Sequence, residues 1–121
     1  MKAMILPAVA AAALIASAPA IAQPAPSNDP APGYTSLLNS NYSTAEREIR
    51  SANVSPYDPA RSINLGIALA KQGRRADAAT QFNSVLLEED VEMVMANRQT
   101  AMSHDVARRA LAALDGGVLS R

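Results

Sequence analysis

Apolar side chains recur at helical spacing through the middle of the chain. The pattern predicts two consecutive helices, the first ending at Gly73 and the second running over about Arg75–Glu88. Asp58 is a suitable N-cap for the first helix, and Pro59 fits its first position, where a missing N–H costs nothing. Gly73 is expected to adopt the left-handed conformation that ends a helix. The apolar positions of the two helices are Ile63, Leu65, Ile67, Ala68, Leu69 and Ala70, followed by Ala78, Ala79, Phe82, Val85 and Leu86.

A weaker helical pattern lies immediately upstream. Residues 34–41 can form two helical turns, and a longer helix is predicted from Ser43 to about Asn53, where the sequence VSPYDP cannot continue it. Ser43 and Glu46 have the spacing of a capping box, in which each side chain binds the other residue's backbone N–H. The apolar positions of these segments are Leu37, Leu38, Ala45, Ile49 and Ala52.

After residue 90 the pattern changes from helical spacing to alternation. A short β-hairpin is predicted, with a turn at Ala96–Arg98 and a return strand over Gln99–Met102. Asn97 tolerates the positive φ that such a turn needs. A continued helix is the alternative, because Met, Ala, Glu and Arg also favour helices. The apolar residues of the first strand, expected to pack under the following helix, are Val91, Met93 and Met95.

The chain is predicted to end with one more amphipathic helix. Ser103 is its expected N-cap, Asp105 lies favourably in its first turn, and Gly116 with Gly117 stops it. Its apolar stripe consists of Val106, Ala110, Leu111 and Leu114, while Arg108 and Arg109 form its exposed face. The predicted fold is therefore mainly α, with a small hairpin and a helix that caps the structure.

The first residues have the pattern of an export signal. Lys2 precedes a long apolar run that closes on Ala20-Ile21-Ala22, the small-x-small motif of signal peptidase sites. Cleavage is predicted after Ala22, and an uncleaved anchor is the alternative. Residues 23–33 are rich in proline and are expected to form an extended linker, with a docking ligand as the alternative. The predicted divisions are a signal peptide at 1–22, the linker at 23–33, helical repeats at 34–92 and a hairpin-plus-helix cap at 93–121.

Composition narrows the functional classes. The 121 residues include 11 Lys and Arg and 11 Asp and Glu, so no electrostatic attraction to nucleic acid or an anionic membrane is expected. The chain contains no cysteine, so an exported domain of this size must be held by its apolar core or by assembly.

Candidate reactive groups are few. The one histidine, His104, lies between Ser103 and Asp105, but adjacent residues at a helix start point in different directions, and capping explains the other two. A single histidine without cysteine disfavours a transition-metal site, and the acidic residues 88–90 with Glu92 are best explained as a solvated turn. No phosphate-binding or nucleophile motif is present in the sequence, so no enzyme activity and no cofactor are expected.

The helical pair resembles a tetratricopeptide repeat (TPR), a helix–turn–helix unit of about 34 residues. The resemblance covers Pro59 to about Glu92. The layout of the whole chain is also similar, more loosely, to that of small secreted repeat proteins of bacteria. Two residues depart from the family pattern: Ser62 replaces an early aromatic residue, and Asp90 stands where proline is common. The matching residues are Asn64, Leu65, Gly66, Leu69, Lys71, Gln72, Gly73, Ala78 and Phe82. A partial second copy lies upstream, where Ala45, Ile49 and Ala52 precede Ala78, Phe82 and Val85 by a constant interval close to one repeat length.

The resemblance implies a non-enzymatic module that binds another protein or a peptide. In the family, the first helix of each pair lines the binding surface, which implies Asn64, Ile67 and Lys71 as contact residues. Asn64 can equally stabilise the helical pair, and Lys71 can be a solvated cation in the last helical turn. Since solenoids usually need about three units, the exposed edge is expected to be covered by the last helix of the chain, packed on the second helix of the pair, or by a second copy or another protein. The alternative function is an assembly or stability accessory of a cell-envelope complex, in which the hairpin adds a strand to a partner sheet.

Overall fold

The computed structural model describes residues 22–23 and 31–117. The predicted signal peptide, apart from Ala22, and residues 24–30 of the predicted linker lie outside the described residues. The helices are α1 (Tyr34–Leu38), α2 (Tyr42–Ser51), α3 (Pro59–Lys71), α4 (Arg75–Leu86) and α5 (Ser103–Asp115). The strands are β1 (Ala22–Gln23), β2 (Glu92–Met95) and β3 (Thr100–Met102). The prediction of a mainly α fold with a small hairpin and a C-terminal helix is confirmed.

Helix α3 is the centre of the fold. It packs against α4 most extensively and also against α2, α5, α1 and β1. Its start follows the predicted chemistry, because an Asp58 side-chain oxygen accepts the Arg61 N–H at 3.0 Å and Pro59 occupies the first turn. The end of α3 also follows the predicted chemistry, since Gly73 has a φ of 84°, in the left-handed region. Helix α5 packs against α4, as expected of a cap.

The two helical pairs are related by a constant shift along the sequence. Helix α2 begins at Tyr42, and α4 begins at Arg75. The turn before each helix contains a positive φ two residues ahead of the helix start, 61° at Ser40 and 84° at Gly73. These matched features define an internal repeat in the backbone, although the first unit has only the short α1 where the second has all of α3.

Close packing within each unit repeats at the same interval. A Cβ added at Gly33 would lie 2.6 Å from Cγ1 of Ile49, and one added at Gly66 would lie 2.8 Å from Cδ1 of Phe82. Ile49 and Phe82 are both fully buried. Each unit therefore uses a glycine to let one bulky side chain of its second helix approach the backbone of the first segment.

The hairpin is present, and it belongs to a three-stranded antiparallel sheet in which β2 lies between β1 and β3. Met93 pairs with Ala101 across the β2–β3 ladder. Met93 and Met95 are buried in the core, whereas Val91 is 36% exposed and is not covered as expected. The reason is that β2 begins only at Glu92, so Val91 belongs to the loop before the strand.

The capping predictions for two helices are wrong. Helix α2 starts at Tyr42 after Asn41, so Ser43 and Glu46 lie inside the first turns and form no capping box. Helix α5 starts at Ser103 itself, after Met102, and no side chain of its N-cap residue binds the helix. The observed N-cap residue lies two residues before Ser43 in α2 and one residue before Ser103 in α5, and the Ser103 side chain has other partners.

Other positions also differ from the predictions, and α2 ends at Ser51 instead of about Asn53. Arg98, with a φ of 73°, takes the left-handed position of the hairpin turn that was assigned to Asn97. Helix α4 ends at Leu86 and does not reach Glu88. The packed domain begins before Tyr34, because Ala31 is 3% exposed and joins the core although composition placed it in the linker.

Candidate interaction site

The residues predicted to bind a partner lie on α3, and two of the three are buried. Asn64 is 0% exposed and Ile67 is 4% exposed. Lys71, in the last turn of α3, is half-buried and has surface available to solvent. The structure therefore brings the three residues onto one helix, but only Lys71 is accessible when the rest of the described chain is in place.

The repeat residues named from the sequence occupy the α3–α4 contact. Gly66 lies against the ring of Phe82, and the small side chain of Ala78 is fully buried. Leu65 is 1% exposed and Leu69 is 0% exposed. These side chains hold α3 in place, so their contribution to a binding site is to position the helix.

An extended part of the chain lies against α3. Strand β1 contacts α3 and pairs with β2, where Ala22 is opposite Met95 and Gln23 is opposite Val94. Sequence reasoning missed this strand because two small or polar residues at a cleavage motif carry no strand pattern. The structure thus joins α3 to the sheet through a strand, and this junction of α3, β1 and β2 is the candidate interaction site.

A group of charged side chains links the two repeat units at their surface. Glu46 on α2 accepts hydrogen bonds from Arg50 Nε at 2.9 Å, Gln72 Nε2 at 3.1 Å and Arg74 Nη1 at 3.0 Å. Burial of Glu46 opposes its ionisation, but the hydrogen bonds from Arg50, Gln72 and Arg74 and the charge of Arg74 outweigh it and hold the pKa of Glu46 below its usual value. Glu46 therefore fastens α2 to the turn between α3 and α4. No sequence pattern predicts this contact, because its partners are 26 and 28 residues away.

Ser103, His104 and Asp105 do not converge. The Ser103 hydroxyl lies 3.3 Å from an Asp90 carboxylate oxygen and accepts the Val91 N–H at 3.0 Å. His104 Nε2 donates to the Glu88 carbonyl at 2.7 Å, since a carbonyl oxygen can only accept. Asp105 instead faces Arg108 on its own helix, at 3.3 Å. The three side chains have separate structural partners, and the arrangement offers no nucleophile and base in contact.

Asp90 explains one departure from the resembled family. Its carboxylate accepts the His104 N–H at 2.9 Å as well as the Ser103 hydroxyl proton. A free N–H at a helix start is normally satisfied by a side chain of the N-cap residue. Here a residue 14 positions away does so, and the α4–β2 connection is thereby fixed to the start of α5.

Other polar features of the described chain are dispersed. Within residues 22–23 and 31–117, no three His, Cys, Asp or Glu side chains are grouped so that they could hold a metal ion. Arg108 and Arg109 are exposed on α5, as predicted. No helix in this part of the chain is long and apolar enough to cross a bilayer. A shallow surface depression of about 420 Å³ is lined only by α2 residues, Ser43, Glu46, Arg47, Arg50 and Ser51.

One buried polar atom lacks a partner among the described residues. The Tyr34 side chain is 4% exposed, and its hydroxyl makes no hydrogen bond within the described part of the chain. Desolvation raises the pKa of this phenol above its usual value. Among the described residues, no hydrogen bond therefore compensates for the burial of this hydroxyl.

Comparison with known proteins adds no identification. No family model, curated protein or solved structure matches this chain.

Proposed function

We propose that the protein is a non-enzymatic, TPR-like interaction module that is exported to the bacterial periplasm and binds another protein or a peptide. The support for the repeat is internal to the chain. Two helical units have helix starts, left-handed turn residues and glycine contacts at one constant interval along the sequence. Stacked units of this kind act through their shape and surface.

The observation that carries the binding role is the position of β1. This strand is an extended segment, and it contacts α3, the helix that carries Asn64, Ile67 and Lys71. In the resembled family, the first helix of a pair lines the surface that receives a peptide or partner segment. Here the chain's own segment contacts α3, the first helix of its pair, which is the kind of contact that a bound partner would make.

A second candidate function has its own support. The hairpin could serve as an assembly or stability element of a cell-envelope complex by adding a strand to a partner. The pairing of β1 with β2 favours this candidate. Strand β1 is antiparallel to β2 and lies on the edge of β2 that faces away from β3, so this edge is able to accept an antiparallel strand. We propose no catalytic role, because Ser103, His104 and Asp105 have separate partners.

Co-purification from envelope extracts tests the interaction role. The full chain is expressed with a C-terminal tag, and recovered proteins are compared between the wild type and Lys71→Glu. Arg109→Glu is the matched control, because it reverses one charge on an exposed helical position of α5. We expect Lys71→Glu to reduce recovery of a specific protein by about tenfold, as reversal of an interfacial charge does, while Arg109→Glu leaves it unchanged. Equal recovery by all three chains, or none by any, would count against the proposal.

Mass spectrometry of the same preparations tests export. We expect the periplasmic fraction to contain a chain that begins at Gln23. A chain found only in the cytoplasm with its first residues intact would contradict the proposed location, whatever proteins it binds.

A further inference from the structure

Among the described strands, β1 lies along one edge of β2 and separates that edge from helix α3. Of the described residues, Ala22 and Gln23 form β1 and pair with Met95 and Val94, and β1 contacts α3 at the same time. The other edge of β2 is paired along three positions with β3, from Glu92 opposite Met102 to Val94 opposite Thr100. Among the described residues, β1 thus has fewer positions paired with β2 than β3 has, and a ladder gains stability with each paired residue.

The surface of β2 restricts what can pair there. Met95 is 3% exposed and Val94 is 6% exposed, although the two side chains point to opposite faces of the sheet. A strand placed opposite them lies beside apolar groups on both faces. A charged side chain at these positions would lose its hydration without gaining a partner, so small uncharged residues are favoured.

The predicted signal cleavage falls inside β1. The bond between Ala22 and Gln23 joins the residue opposite Met95 to the residue opposite Val94. Cleavage there removes Ala22 from the strand and leaves Gln23 as the new amino terminus. Pro24 follows in the sequence and has no backbone N–H to donate to a ladder. Export would thus leave the β2 edge open opposite Met95.

We propose that the edge of β2 beside α3 is an acceptor site for an extended segment of another protein, with small uncharged side chains, and that Ala22–Gln23 fills this site as a substitute in the full chain. The inference rests on the proposed interaction function and deepens it, because it specifies the site and the chemistry of the partner. Main-chain hydrogen bonds supply the affinity, as in other cases of strand addition, and the buried Val94 and Met95 select against charge.

A peptide-binding measurement tests the site directly. The probe is a fluorescent peptide with the chain's own sequence from residue 15 to residue 25, IASAPAIAQPA, and its affinity is measured by anisotropy. The protein is the full chain, as wild type and as the double variant Ala22→Pro and Gln23→Pro. Successive N–H groups of a strand point to opposite edges, so one of these prolines removes the donor that faces β2. The matched control is Ala22→Ser with Gln23→Ser, which keeps both N–H groups.

We expect the proline variant to bind the peptide about tenfold more tightly than the wild type. In the wild type the chain's own Ala22–Gln23 segment competes with the peptide, and the apparent affinity is lowered in proportion to the fraction of chains whose site is open. The serine control should behave as the wild type. A second peptide, N-methylated at the residues corresponding to Ala22 and Gln23, should bind about tenfold more weakly than the unmodified peptide. Circular dichroism of each variant shows whether the helices are intact. Binding of the unmodified and the N-methylated peptide to the exported chain tests the site without any substitution.

Equal affinity of the proline variant and the wild type, or equal binding of the two peptides by the exported chain, would overturn the proposal. Dimers that form in the wild type and disappear in the proline variant would assign the site to a second copy and would also overturn it. If peptide binding fails while Lys71-dependent recovery from the envelope persists, this site is wrong and the interaction function stands. If the peptide binds and recovery fails, the acceptor site stands and the Lys71 surface is wrong.

Discussion

Gly66 on α3 lies directly against the ring of Phe82 on α4. A Cβ at position 66 would be 2.8 Å from both Cδ1 and Cζ of that ring, closer than carbon atoms can pack without movement. Phe82 is fully buried, so its ring has no open space into which to withdraw. Gly33 and Ile49 stand in the same relationship in the first repeat unit. The missing side chain at Gly66 is therefore what sets the separation of the two helices.

Gly66→Ala is expected to lower the free energy of unfolding by about 1–3 kcal/mol, the usual cost of overpacking a core. The cost must exceed the gain of about 1 kcal/mol from replacing glycine within a helix. Urea denaturation followed by circular dichroism measures the difference. Gly116→Ala is the control, since its Cβ would meet only the carbonyl oxygens of Ala112, at 3.5 Å, and Ala113, at 4.0 Å, and a change within about 0.5 kcal/mol is expected.

A double-mutant cycle identifies the ring as the cause. Phe82→Leu should destabilise the wild type more than it destabilises the Gly66→Ala variant, because a smaller side chain relieves the clash. Additive effects of the two substitutions would show that the methyl group and the ring do not compete for space.

Asp90 holds the start of α5, and Asp90→Ala is expected to lower the free energy of unfolding by about 0.5–2 kcal/mol, the range for loss of a helix cap. The physical reason is that the His104 N–H and the Ser103 hydroxyl would both lose their acceptor. Chemical denaturation again provides the measurement. Glu89→Ala removes a neighbouring exposed acidic residue and should change stability by less than about 0.5 kcal/mol. A similar loss from both substitutions would point to charge and not to capping.

The helices and the hairpin that the sequence predicted are the elements with a periodic pattern of neighbouring residues. The spacing of apolar residues predicted α3, α4 and α5, and Asp58 and Gly73 behaved as their local chemistry indicates. Alternation predicted the hairpin despite the good helix formers within it. In each case the residues that decide the structure are neighbours in sequence, so a single sequence contains the information.

The contacts that the sequence did not predict join residues that lie far apart along the chain. Glu46 has the spacing of a capping box with Ser43, but its carboxylate is taken by Gln72 and Arg74 from the second unit. Ser103 looks like an N-cap, but its hydroxyl is engaged with Asp90 and Val91. A polar side chain at a helix start satisfies local and distant partners equally well in principle, and only the tertiary arrangement decides between them.

The candidate site was predicted in part. The resemblance placed Asn64, Ile67 and Lys71 on the first helix of a pair, and the structure places all three on α3. The sequence left open whether Asn64 and Ile67 face a partner or the interior, because their burial depends on how many other elements surround α3. Strand β1 was also missed, since two residues carry no periodicity. The assigned role of the three α3 residues in partner binding stays a prediction.

The Glu46 cluster should make stability depend on pH. Its pKa is lowered in the folded chain, so its contribution is fully present above the unfolded glutamate pKa of about 4.3 and is lost as the pH falls through the lower folded value. Glu46→Gln is expected to reduce the free energy of unfolding by about 0.5–1 kcal/mol at neutral pH. The difference from the wild type should shrink below about pH 4.3 and also at high salt.

Denaturation curves at a series of pH values provide the check on Glu46. Glu89→Gln is the matched control, because Glu89 is exposed and makes no ion pair within the described residues. An equal effect of the two substitutions, or a difference for Glu46→Gln that does not change with pH, would mean that the contacts with Arg50, Gln72 and Arg74 do not stabilise the carboxylate.

Tyr34→Phe is expected to stabilise the protein. The Tyr34 hydroxyl is buried without a partner in the described structure, and removal of an unsatisfied buried hydroxyl recovers about 1 kcal/mol or more. The phenol pKa is raised in the folded chain, so the wild type should lose further stability as the pH rises above about 10, whereas the variant should not. Tyr57→Phe is the control, since Tyr57 is 68% exposed and its hydroxyl remains hydrated. Thermal unfolding at neutral and alkaline pH measures both effects, and a destabilised Tyr34→Phe variant would show that the hydroxyl has a partner that stabilises the fold.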